Sequence, residues 1–246
     1  MFRPAMILLE NVTKRYGESV ALRDVSLHVP SGELFACLGP NGAGKTTTIK
    51  LLCGLLKPTS GRIRVGGFDV QTQGGEARQL ISYVPDQPFV YEKLTGREFL
   101  EFVADLYGME TSHAARRMDE VIELFDLGEF VDELTERYSH GMRQRVVFAG
   151  ALLHDPKLLI ADEPTVGLDP RSIRDLKMLL RRMADGGTTI FLSTHTLDIA
   201  QELADRIGIM HRGQLIGCGT LDELRDRAAH GGTLEEVFLR ITEDAP

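Results

Sequence analysis

Cysteine is scarce: Cys37, Cys53 and Cys218 are the only three, and they form no C-x-x-C pair. Neither a disulfide framework nor a zinc site is expected, and a reducing, cytoplasmic setting fits. Basic charge is also short, with 28 Lys and Arg against 36 Asp and Glu and a formal charge of −8. That balance opposes the positive footprint that phosphate backbones attract, so no nucleic-acid partner is expected. No stretch approaches the roughly 18 to 20 consecutive apolar residues that cross a bilayer. The opening MFRPAMILLENVTKRYG lacks a signal-peptide apolar region and cleavage site. Any membrane role is therefore expected to come through a partner. Internal repeats, low-complexity tracts, linkers, heptad insertions and a guanine-reading N-K-x-D sequence are absent too.

What is present is enough apolar material for a substantial core, at 43% hydrophobic and 26% charged residues. The N-terminal third reads as short strands: MILLENVT, VALRDVSLHV, a turn at Ser31-Gly32, ELFACLG, and GRIRVGGFDV with a turn at Gly66-Gly67. After LISYVP the period changes. Phe99, Phe102, Val103, Leu106 and Tyr107 recur at helical spacing, as do Met118, Val121, Ile122 and Phe125. From Leu158 strands and helices alternate again: KLLIADEP, a helix from about Pro170 to Asp185, TTIFLSTH, a helix near Thr196 to Leu203, and RIGIMHRGQLIG as a hairpin. Asp169-Pro170 reads as an N-cap with proline at the first helical position, and Gly186-Gly187 as the stop. The pattern predicts an α/β fold with a mainly parallel core sheet, an N-terminal antiparallel β-subdomain and a helical insertion. One domain, 1–246, is expected, with the core at about 1–85 and 156–246 and the helical subdomain at about 86–155.

GPNGAGKT, residues 39 to 46, satisfies G-x-x-x-x-G-K-[ST] and falls between an apolar strand and a helical run. Glycines let successive N–H groups approach phosphate oxygens at a helix N-terminus. Gly39, Gly42 and Gly44 are expected to form the cradle. Pro40, Asn41, Ala43 and Thr47 complete the contacting segment. Lys45 would place its ammonium on the β and γ phosphates, and the Thr46 hydroxyl would bind Mg²⁺. A plain glycine-rich connector is the competing reading. Downstream, LLIADEP sets Asp162 and Glu163 at the C-terminal edge of a buried strand, where ligands sit in open α/β sheets. Asp162 is expected to hold Mg²⁺ through water or Thr46, and Glu163 to polarise the attacking water.

With these residues placed, the chain resembles the ABC ATPase family from Tyr16 to the C-terminal hairpin. The resemblance implies that Tyr16 stacks on adenine, a contact a flat ring makes without reading base edges. YSHGMRQR, residues 138 to 145, resembles the family's LSGGQ signature, with Ser139 and Gly141 matching and Tyr138, His140 and Met142 departing. In the family this element completes the nucleotide site of the opposite protomer. VGLD resembles the loop in which Asp169 couples the two sites, and His195 in LSTH matches the switch histidine, expected at the γ-phosphate beside Glu163. The other six histidines, His154 and His211 among them, are read as structural. In SYVPDQPFVYEKLTG the family's metal-contacting glutamine falls on Asp86 or Gln87, and both stay open as metal-side candidates.

Together these imply an enzyme that uses ATP and Mg²⁺, dimerises around two ATP molecules with a second nucleotide-binding domain, and powers a separate transmembrane permease. The expected place is the cytoplasmic face of the cell membrane. The ending GTLDELRDRAAHGGTLEEVFLRIT looks like the tail of bacterial ATPases serving export permeases. The alternative is a non-transport ABC ATPase acting on ribosomes or nucleic acid.

Overall fold

The structure is a computed structural model and describes residues 4–227, 235, 236, 238 and 239. Residues 228–234, 237 and 240–242 of the export-like C-terminal tail therefore lie outside the described residues. Strand β1 (Ala5–Tyr16) and β2 (Ser19–Pro30) form a long hairpin, and β3 (Leu34–Leu38) runs into α1 (Lys45–Leu52). Then come β4 (Ser60–Val65), β5 (Phe68–Asp69), α2 (Gly74–Gln79) and β6 (Ile81–Val84). Three helices follow: α3 (Gly96–Leu106), α4 (Thr111–Leu124) and α5 (His140–Leu152). The chain returns through β7 (Leu158–Asp162), α6 (Pro170–Asp185), β8 (Thr189–Thr194), α7 (Leu197–Leu203), β9 (Arg206–His211), β10 (Gln214–Gly219) and α8 (Leu221–Arg227).

Two sheets result. A four-stranded antiparallel sheet has the order β2-β1-β4-β5, and a six-stranded sheet has the order β10-β9-β3-β8-β7-β6. In the larger sheet only the β9–β10 hairpin pairs antiparallel. This is the α/β architecture of a P-loop NTPase: the alternating pattern predicts the parallel core, and GPNGAGKT predicts the phosphate loop that joins β3 to α1. Strands β3, β7 and β8 are buried along their whole length, which explains why LFACL, LLIAD and TIFLST lack polar alternation. Their period of two instead divides residues between two cores. Leu159, Ala161, Ile190 and Leu192 join the core shared with α3 to α6. Leu158, Ile160, Phe35 and Phe191 face the core shared with the antiparallel sheet, where the two phenylalanine rings stack at 5.6 Å.

Two readings are corrected by packing. The stripe of Phe99, Phe102, Val103, Leu106 and Tyr107 is rotated: Leu100 and Ala104 are the buried positions of α3, while Phe102 and Leu106 are exposed. Gly150 of α5 sets the rotation, since a Cβ there would lie 3.1 Å from Phe99 and 3.8 Å from Leu100, so α3 lies directly on the α5 backbone. Helix α2 is absent from the sequence expectation because it is short and buries only Ala77, leaving no apolar stripe to read.

Candidate functional site

Strand register builds the site. Leu38 pairs with Thr194 and Asp162 pairs with Ser193, so β3, β8 and β7 end side by side. Gly39, His195 and the Asp162-Glu163 pair thus emerge at one edge of the sheet, although more than 150 residues separate Gly39 from His195. That is the edge at which open α/β sheets bind ligands.

The glycines of the loop do different jobs. A Cβ on Gly39 would lie 2.4 Å from the Met210 carbonyl oxygen, and the Gly39 N–H already donates to the Thr194 carbonyl at 3.3 Å. Gly39 therefore serves close packing, and donors for an anion begin further along the loop. Gly44 stands at φ 106°, with the Leu22 side chain 2.7 Å from where a Cβ would be. It caps α1 without a side chain, and helix geometry leaves the N–H groups of Lys45, Thr46 and Thr47 directed out of the N-terminus. The helix dipole adds partial positive charge at the same point.

Side chains converge on this loop. The Lys45 ammonium, 5% exposed, donates to the carbonyls of Gly39 at 2.6 Å and Pro40 at 3.3 Å and sits 3.3 Å from Glu163 Oε1. Glu163 Oε2 accepts from His195 Nδ1 at 2.9 Å and from the His195 N–H at 3.3 Å. A carboxylate acceptor requires the proton on Nδ1, which leaves Nε2 of a neutral ring to accept or bind elsewhere. The Thr46 hydroxyl donates to Asp162 Oδ2 at 3.1 Å, and the Ser193 hydroxyl donates to Asp162 Oδ1. Burial pushes the Asp162 carboxyl up, the Ser193 and Thr46 hydroxyls pull it down, and the carboxylates of Asp86 and Glu163 push it up again. Burial drives Cys37 up to about 12, despite the pull of the Lys45 ammonium, so it is no nucleophile at neutral pH.

Glu163 also carries strain. Its φ of 48° is left-handed, a conformation that costs a non-glycine residue about 1 to 2 kcal/mol. The surroundings hold it there: its N–H donates to the Ser193 carbonyl at 3.1 Å while its carboxylate is held by Lys45 and His195.

The remaining candidates lie elsewhere. Ser139 caps α5, accepting from the Met142 N–H at 3.2 Å, and Gly141 follows in open space. Asp169 caps α6, accepting from Arg171 and Ser172, and these bonds, led by the Ser172 hydroxyl, hold its carboxyl below the usual range. Ser139, Gly141 and Asp169 share the wall of a groove of about 670 Å³, whose lining includes none of residues 39–47, 162, 163 or 195. Tyr16, 49% exposed, stands near the tip of the hairpin whose Ala21 and Leu22 pack on Gly44, with Lys14 Nζ 4.9 Å from its ring centroid. Asp86 and Gln87 are exposed after β6, and Asp86 Oδ1 accepts the Gln87 N–H at 2.9 Å.

Two departures from the signature pattern gain a physical reason. Tyr138 is buried, its hydroxyl donates to the Phe130 carbonyl at 2.6 Å, and its ring meets Phe130 edge-on. Met142 packs against the larger core. Of the histidines read as structural, His154 stacks on Tyr107 at 3.5 Å. Sequence reading passed over Ser193 and Gln144. Ser193 could have been found only through the register that sets it opposite Asp162.

The family model described as ABC transporter matches residues 22–166. Among curated relatives, the linearmycin resistance ATP-binding protein LnrL of Bacillus subtilis is 38% identical over 238 residues, covering 97% of this chain and 76% of that protein. The probable multidrug ABC transporter ATP-binding protein YbhF of Escherichia coli is 37% identical over 97% of this chain, and the chain spans only 42% of YbhF's length. A solved ATP binding subunit of an ABC transporter superposes with a TM-score of 0.91 at 34% identity, covering 96% of this chain and 99% of that one. The cassette MJ0796, as a post-hydrolysis dimer bound to ADP and Pi, gives 0.80 at 28% identity, covering 88% and 99%. The nucleotide loop, the acidic strand end and the histidine thus stand in a fold shared with ATP-binding cassettes, and the chain belongs to the ABC transporter family as an ATP-binding ATPase cassette.

Proposed function

We propose that this ATPase powers export through a separate transmembrane permease, closing with a second cassette around ATP and reopening after hydrolysis. The observation that carries the reading is the convergence of Lys45, Thr46, Asp162, Glu163 and His195 at the ends of three adjacent strands. The drug-resistance and multidrug names of LnrL and YbhF support export. No helix among the described residues is long and apolar enough to cross a membrane, which suits a permease supplied by another segment or chain.

Within the site, the loop of residues 39–47 cradles the phosphates, with its N–H donors lying beyond Gly39, and Tyr16 stacks on adenine. Lys45 exchanges Glu163 and the loop carbonyls for the β and γ phosphates, so substrate binding itself releases the carboxylate. Glu163 then accepts a hydrogen bond from the attacking water and orients it in line with the γ-phosphate. His195 holds Glu163 through Nδ1–H and offers Nε2 towards the reacting group.

The donor set fits Mg²⁺. Thr46 and Asp162 supply hard oxygen ligands next to a surplus of carboxylate charge from Glu163 and Asp86. Among the described residues no group of three or more His, Cys, Asp or Glu could hold a metal alone, as suits an ion that uses substrate phosphates and water for its other ligands. When bound, Mg²⁺ supplies charge neutralisation for the β and γ phosphates. Asp86 and Gln87, both exposed after β6, are the two candidates for a further contact on the metal side.

The core, about 1–85 and 156–246, holds nucleotide, and the helical segment of about 86–155 meets the permease. Beside the Asp86 loop, Phe89, Tyr91 and Phe102 form successive edge-to-face pairs at 5.4 Å on the surface, with Leu106 also exposed. Exposed aromatic clusters of this kind suit a protein interface. Ser139, Gly141 and Asp169 face the second cassette.

The test is Glu163→Gln. ATP affinity is expected to stay within about twofold while turnover falls at least about 100-fold, measured by single-turnover hydrolysis and nucleotide titration. Parent-like hydrolysis would remove Glu163 from the mechanism.

A further inference from the structure

Helix α5 touches the segment between Glu163 and Asp169 at two places. His140 and Gln144 are four residues apart and so share a face of the helix. The Gln144 amide, 4% exposed, donates from Nε2 to the Pro164 carbonyl. The His140 ring lies over Gly167, where an added Cβ would be 3.1 Å from Nε2 and 3.3 Å from Cδ2. The touched segment folds as consecutive turns, Val166 N–H to Glu163 carbonyl at 3.1 Å and Leu168 N–H to Thr165 carbonyl at 3.4 Å. It is bounded by left-handed Glu163 at φ 48° and contains Gly167 at φ 77°.

The chemistry of Gln144 argues against a packing role. Its Oε1 is buried with no hydrogen-bond partner among the described residues. An apolar side chain of similar size would fill the space without leaving an acceptor unsatisfied. What the amide adds is one directed bond to the residue after Glu163. His140 is exposed at the first position of the helix, between Ser139 and Gly141, where packing demands no ring.

We propose that His140 and Gln144 are positioning residues that couple the Ser139–Gly141 edge of α5 to Glu163 and Asp169 of the same chain. This rests on the function proposed above, in which that edge engages nucleotide held by the second cassette. Movement of α5 on engagement is carried by two contacts into the segment that sets the Glu163 carboxylate, so each site senses whether the other is filled. One helix turn joins the two contacts.

The experiment compares full-length Gln144→Leu, His140→Ala and Glu163→Gln with the parent, measuring kcat, KM and Hill coefficient for ATP, ATP affinity and melting temperature. For Gln144→Leu the expected result is an unchanged or higher melting temperature, unchanged ATP affinity, kcat lowered about tenfold and a Hill coefficient falling towards one. His140→Ala changes an exposed side chain that folding does not need, and is expected to lower kcat about threefold with the same loss of cooperativity. Parent-like kcat and Hill coefficient in both variants, beside an inactive Glu163→Gln, would overturn the coupling alone. Loss of melting temperature and ATP affinity in step with kcat would reduce the two contacts to fold maintenance and overturn it too. Parent-like hydrolysis by Glu163→Gln would instead overturn the underlying reading of the site.

Discussion

The sheet edge and the start of α5 carry the same kind of group, backbone N–H donors at a helix N-terminus, yet they are finished to different degrees. At the sheet edge Lys45, Glu163, His195, Asp162, Thr46 and Ser193 are linked in one network of ion pairs and hydrogen bonds. At α5, Ser139 does no more locally than cap its helix, and Gly141 has nothing within 4 Å of a Cβ position. The first region is a preorganised cluster of charged and hydroxyl groups beside a helix N-terminus. The second has only its helix cap, and in the function proposed above the nucleotide of a second cassette completes it; no single motif discloses the difference.

Breaking the first region should have the largest effect. Lys45→Ala removes the ammonium from a site otherwise rich in carboxylates, and ATP affinity is expected to fall at least about 100-fold, measured by titration with a fluorescent ATP analogue. Breaking the second separates binding from turnover. Gly141→Asp sets a carboxylate where a γ-phosphate of the other cassette would lie, so kcat is expected to fall about 30-fold or more with ATP affinity of the single chain unchanged. A Gly141→Asp variant that binds ATP poorly would mean the two regions serve one nucleotide in the same chain.

The smallest effect sharpens the comparison by touching neither region. Thr95 caps α3 in a reciprocal capping box, with Glu98 N–H to Thr95 Oγ1 at 3.1 Å and Thr95 N–H to Glu98 Oε2 at 2.7 Å. Thr95→Ala is expected to cost about 1 kcal/mol. In a chain of this size that lowers the melting temperature by about 2 to 4 °C, with kcat and ATP affinity unchanged, as thermal denaturation and steady-state assays would show.

Much of the sheet edge was legible because its parts are contiguous in sequence. GPNGAGKT carries its own loop and helix start, and LLIADEP its own buried strand and acidic end. The Asp169-Pro170 cap and the helix to Asp185 were legible for the same local reason. What sequence could not disclose was contact between distant segments. The Lys45–Glu163 ion pair spans over 100 residues, and the Ser193–Asp162 bond depends on the pairing of β7 with β8. The Gln144–Pro164 bond depends on the pose of α5 against a loop. The rotation of α3 was hidden because Gly150, which sets it, lies on another helix. Local chemistry was readable from residue type and spacing, and the coupling of one local site to another was not.

The central claim is that the α5 edge of one cassette completes the sheet-edge site of another. Mass measurement of Glu163→Gln by light scattering, at saturating ATP and Mg²⁺ and again with ADP, tests it most directly. The expected result is a doubled mass that retains two ATP per dimer and reverts to the single chain with ADP or on adding Gly141→Asp. A chain that stays single while saturated with ATP would contradict the claim.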